Sequence, residues 1–179
     1  MARRNSNPYL ARLFRAKHLQ RLVGLSLWPN DKEYTESAAC LAAVTRYCPY
    51  TPDDRGVTAL VVGDGRTPRT GALIAASTAW QVLSVDPVLR KMGPHPRIER
   101  LTMYKERAET LAARLTWGLK VVIVACHSHA PLHIVHAHIN AGTSPVISLP
   151  CCVKDKLGDP RITYSDPACL SPCCTINVY

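Results

Sequence analysis

A single phenylalanine in 179 residues, with aromatic residues at only 6%, leaves little ring surface from which to build a core. The interior must therefore come mostly from Val, Ile, Leu and Ala. Long apolar runs are also missing. None approaches the ~20 residues needed to cross a bilayer, since even the apolar run 121–125 is closed at once by polar residues. A soluble chain without a membrane partner is expected. No Cys-x-x-Cys pair occurs among the eight cysteines, which weighs against a zinc site, and no apolar segment of the secretory kind follows Met1. The second absence argues for reduced thiols in an intracellular, cytoplasmic protein and against a secreted disulfide scaffold. Internal repeats and low-complexity tracts are absent as well.

Acidic residues are missing from the start of the chain. The chain's net charge is +9, and Arg3, Arg4, Arg12, Arg15, Lys17 and Arg21 all precede Asp31, the first carboxylate, which concentrates positive charge at the amino-terminal end. Such an arm suits a phosphate backbone, so RNA is the expected partner. The same composition fits an organellar transit sequence; we expect a retained element. With 47% hydrophobic residues the chain can bury a real core, and its length suits one domain. The expected organisation is a basic helical extension over residues 1–50, packed on a Rossmann-like domain over residues 51–179. Oligomeric state leaves no mark on the sequence.

Periodicity sets the elements. Leu10, Leu13, Phe14, Leu22 and Val23 mark one face of a helix over residues 9–23, and Ala38, Leu41, Ala42 and Thr45 mark another over 35–47, stopped by Cys48-Pro49. Strands are then expected at 57–62, 80–85, 97–102, 120–125 and 145–149, alternating with helices at 67–77, 105–117 and 131–140. Strand–helix–strand units of this kind close with right-handed crossovers into a parallel sheet. Short strands at 162–164 and 175–179 add an antiparallel edge near the C-terminus. The fold class is therefore α/β, a Rossmann-like three-layer sandwich.

The segment Gly63-Asp64-Gly65-Arg66-Thr67-Pro68 joins the first strand of this series to its helix, where open α/β sheets place ligands. Thr67 reads as the helix N-cap and Pro68 as its first residue. The next strand ends at Asp86, about twenty residues on, where a carboxylate can accept bonds from a ribose diol. A dinucleotide fingerprint needs glycine where Pro68 stands, and proline removes an amide that would face pyrophosphate. A nucleoside cofactor without pyrophosphate fits better, and S-adenosylmethionine is the obvious one.

With this glycine loop, the Asp after the second strand and the element order through Leu149, the sequence resembles the class I S-adenosylmethionine-dependent methyltransferases over roughly residues 56–153. More narrowly, Val121-Val-Ile-Val-Ala-Cys-His127-Ser-His129-Ala-Pro-Leu132, followed by Val146-Ile-Ser-Leu-Pro150-Cys151-Cys152, resembles a methyltransferase family that includes tRNA 2′-O-methylating enzymes. The resemblance implies a cofactor site at Gly63, Asp64, Gly65 and Asp86. It departs from the class at Val61, where an acid is usual, and in having no Asn/Asp-Pro-Pro-aromatic turn, which argues against N-methylation.

In-line methyl transfer needs a base only when the acceptor must lose a proton. His127 and His129, at the end of the strand over 120–125, are the expected catalytic candidates. Cys151 and Cys152 can touch substrate or serve as small hydrophobes, and Arg66 and Arg69 can meet an anionic substrate or stay solvated. Cys126, His127, His129, His133, His136 and His138, with Cys151, Cys152, Cys169, Cys173 and Cys174, also form a pool of zinc ligands. The adjacent pairs Cys151-Cys152 and Cys173-Cys174 suit one tetrahedral site poorly, so no metal ligand is expected. Two other functions stay open: a non-catalytic RNA-binding or assembly subunit on the same fold, and a zinc-stabilised interaction module.

Overall fold

Five residues of nearly pure Thr, Ala, Leu and Val form the central strand β1(Thr58–Val62), and their alternation divides the molecule. Ala59 and Val61 enter one apolar cluster while Leu60 and Val62 enter another, so the strand is covered on both faces. The first cluster takes up α1(Pro8–Arg15), α2(Lys17–Val23), α3(Asp31–Tyr47) and α4(Arg69–Ser77). The second takes up α5(Ala108–Arg114) and α6(Leu132–Ala137). The computed structural model describes residues 7–90, 98–139, 144–153 and 155–179.

The remaining strands are β2(Gln81–Val85), β3(Leu101–Tyr104), β4(Val121–Cys126), β5(Val146–Leu149), β6(Ile162–Ser165) and β7(Thr175–Val178). They make one seven-stranded sheet in the order β3-β2-β1-β4-β5-β7-β6. Strands β1 to β5 pair in parallel, and β7 runs antiparallel to both β5 and β6. The chain is thus the Rossmann-like α/β sandwich expected, with its antiparallel edge near the C-terminus. The order reverses between β1 and β4, which opens a crevice above their carboxyl ends. Among the described residues, no helix is long and apolar enough to cross a membrane.

Several boundaries move for physical reasons. The single helix expected over 9–23 breaks at Ala16, whose ψ is 108°. Nine residues separate Leu13 from Leu22, about half a turn out of phase at 100° per residue, so a straight helix could not bury both. The break lets both reach the core, while Phe14 and Val23, expected inside, are exposed. Helix α3 starts at Asp31 instead of residue 35, because the Asn30 side chain caps the Glu33 N–H at 3.0 Å. Strand β3 begins at Leu101, after Arg100 takes a left-handed φ of 61°; Arg97, in the expected strand, lies outside the described residues. Helix α5 covers less than the expected 105–117. Helix α6 ends at Ala137, and Asn140 lies outside the described residues.

Candidate functional site

Helix α4 is not capped by Thr67. Thr67 donates its hydroxyl to the carbonyl of Leu27 at 2.8 Å, and Pro68 sits before the helix instead of in its first position. The cap comes from inside the loop. One oxygen of Asp64 accepts from the Thr70 N–H at 2.8 Å; the other accepts from the Gly71 N–H at 2.9 Å and the Ser84 hydroxyl at 2.8 Å. This carboxylate is buried, and burial raises its pKa to about 6 against the lowering effect of the bonds it accepts. A Cβ on Gly71 would stand 2.9 Å from Asp64 Oδ2 and 3.0 Å from Ser84 Cβ, so glycine is what lets the helix close onto the carboxylate.

Asp64 therefore fills the amide cradle at the start of α4, the place where an anion would otherwise bind. Gly63, at φ 72°, leaves the loop against the β4–α6 turn, where a Cβ would run into the Ser128 hydroxyl and stand 2.8 Å from Ser128 Cβ. Gly65 turns with φ 79° and donates its N–H to Asp86 Oδ2 at 2.9 Å. The other oxygen of Asp86 accepts from the Val88 N–H at 2.8 Å. The loop and the end of β2 are thereby tied together across 21 residues of chain.

These residues border a cavity of about 580 Å³. The glycine loop, Asp86, the β4–α6 turn and α3 line it together. Among the described residues, three ion pairs have both partners on its lining: Arg69 with Glu33, Arg107 with Glu109 at 3.6 Å, and His127 with Glu36 at 2.9 Å. Glu36 is 1% exposed on its side chain; burial pushes its pKa up, but His127, Ser171 and Lys32 together hold it down to about 2. The contact of His127 Nε2 with Glu36 is an ion pair set off the line of a hydrogen bond. The Glu36 carboxylate raises the imidazole to about 9 against the opposing effect of burial. At neutral pH this leaves His127 a cation and a donor; it accepts a proton only in alkali.

Across the turn, His129 Nε2 lies 3.3 Å from Cys151 Sγ and 3.3 Å from Cys152 Sγ, and the two sulfurs are 3.5 Å apart. Opposing burial, His127, the Cys152 backbone and His129 lower the Cys151 thiol to about 6. The other members of the expected ligand pool do not join them among the described residues.

No protein-family model and no curated protein sequence matches the chain. Solved structures do match its fold. A crystal structure of a mutant of MtNAS in complex with S-adenosylmethionine superposes with a TM-score of 0.55 at 16% identity, covering 94% of this chain and 68% of that one. A second MtNAS mutant structure gives 0.56 at 14% identity, with 90% and 68% covered.

The structure brings Gly63, Asp64, Gly65, Asp86, His127 and His129 to one cavity. Arg69 lines it as well, engaged by Glu33. Sequence reasoning missed Glu33, Glu36 and Ser37, which α3 carries in from the segment expected to be an extension. A signal was present: Glu36 sits at helical spacing with Cys40, Ala43 and Val44, all buried, and a carboxylate on an apolar stripe has a reason to be there.

Proposed function

We propose that the chain binds S-adenosylmethionine in this cavity and transfers its methyl group, with RNA as the acceptor class. The observation that carries the reading is the division of labour between two aspartates. Asp64 occupies the α4 amides, so no pyrophosphate cradle is left, while each oxygen of Asp86 accepts one backbone N–H and keeps lone-pair capacity for a ribose diol. The residues present fit an adenosine without phosphates. Asp64 is then a positioning residue, and Gly63, Gly65 and Asp86 make the direct contacts. When bound, S-adenosylmethionine supplies an electrophilic methyl on a sulfonium. The ion pairs around the cavity offer a carboxylate or a cation to its zwitterionic amino-acid end. The MtNAS structure, with this cofactor in the same kind of fold, supports the reading.

An RNA acceptor is supported by the amino-terminal helices, whose Arg12, Arg15, Lys17 and Arg21 are exposed and enter no ion pair among the described residues. With His127 held as a cation by Glu36, its role is to donate to or neutralise the acceptor. A non-catalytic RNA-binding subunit is the competing reading, favoured by that same engagement of His127 with Glu36.

Isothermal calorimetry with S-adenosylmethionine and its demethylated product tests the proposal. Wild type is expected to bind with a Kd on the order of micromolar, and Asp86→Ala to lose at least tenfold. Absence of heat with wild type removes the cofactor reading and leaves the non-catalytic one; equal binding by the variant removes Asp86 from the site.

A further inference from the structure

Two cysteines and a histidine at a rim have no packing reason to meet. His129 and Cys152 are exposed and Cys151 is half-buried, yet their donor atoms lie within 3.3 to 3.5 Å of one another. The backbone explains how they arrive. The Cys126–Leu149 register of β4 with β5, extended by the His127 N–H bonding to the Leu149 carbonyl at 2.9 Å, brings the residues just past both strand ends face to face. Ser128 Oγ then accepts from the Ala130 N–H at 3.1 Å and bends the turn. Neighbouring cysteines in sequence point their thiols apart in an extended strand. Here the chain bends after Pro150, and both sulfurs face the same imidazole.

We propose that His129, Cys151 and Cys152 form a binding site for a soft divalent metal ion of the zinc type, with three protein ligands and an open fourth position. The donor set is one imidazole and two thiolates, which selects such an ion over magnesium or calcium. Bonds of about 2.3 Å to sulfur and about 2.0–2.1 Å to nitrogen place tetrahedral donors about 3.6–3.8 Å apart, so the observed triangle needs to open by only a few tenths of an ångström. A structural zinc site closes itself with four protein ligands, and three with a vacancy is the pattern of ions that bind an exchangeable group. His129 also lines the cavity, which sets the three donors at its edge. The site stands on its own geometry and does not depend on S-adenosylmethionine binding.

Cobalt(II) titration of the full-length chain, reduced and stripped with a chelator, reads the site directly. Expected are one equivalent bound, the visible absorption of tetrahedral cobalt, a thiolate-to-cobalt charge-transfer band, and loss of both on adding zinc. Cys151→Ser, Cys152→Ser and His129→Ala should each weaken binding by about tenfold or more, whereas Cys48→Ser should not. Circular dichroism checks that each variant is folded. A reduced wild type without the charge-transfer band overturns the proposal, as does a band that survives the double Cys151→Ser/Cys152→Ser change. Purification with a Cys151–Cys152 disulfide and no cobalt uptake after reduction overturns it too, and marks the pair as a redox couple.

Discussion

Asp64 sits where two electrostatic effects oppose each other. Helix amides favour its charged form, burial disfavours it, and burial prevails, raising its pKa from 3.8 to about 6. The folded state then holds the proton more tightly than the unfolded chain does. Stability from this group is fully present below about pH 4 and is lost as pH rises to about 6. Urea denaturation of wild type and Asp64→Asn between pH 4 and 7 should show wild type's advantage shrinking across that window. An advantage that grows with pH would mean the amides prevail and the carboxylate is held below its ordinary value.

At the scale of elements, two local interactions set where helices begin. Asn30 caps α3 through the Glu33 N–H, and Asn30→Ala should cost about 1 kcal/mol. Gly71 lets α4 descend onto Asp64, so Gly71→Ala should destabilise by about 1–3 kcal/mol even though alanine is the better helix former. Thermal or urea unfolding checks both, and a Gly71→Ala protein as stable as wild type would show that the helix can ride up without loss. The strands are legible in the sequence because β-branched runs buried on both faces have few alternatives. The start of α4 is not, and Thr67 misleads, because the capping group arrives from Asp64, five residues before the first helical residue. Local capping patterns do not reach that far.

For the whole molecule, the amino-terminal segment is both a charged surface and part of the core. Leu13, Leu19 and Leu22 are buried under the same sheet as α4, and Tyr9 donates to Asp166 at 2.5 Å. Deletion through Arg21 should therefore unfold or aggregate the chain instead of merely weakening RNA binding. Neutralising Arg12, Arg15, Lys17 and Arg21 to Gln is the cleaner test. The fold should persist, RNA binding should weaken, and the slope of log affinity against log salt should flatten by about 0.7 for each single-strand phosphate no longer neutralised. An unchanged slope would place RNA elsewhere or nowhere.

By itself the sequence determined the alternation of strands and helices, the glycine loop after β1 and the aspartate ending β2. Apolar periodicity and turn chemistry act over a few residues and are written in order along the chain. Only the tertiary structure decided that Glu36 faces His127, that Asp64 turns inward while Asp86 stays at the rim, and that His129 meets Cys151 and Cys152. Each of these is an encounter between groups far apart in sequence, created when parallel strands align their ends. No local pattern specifies which donors such an alignment will gather.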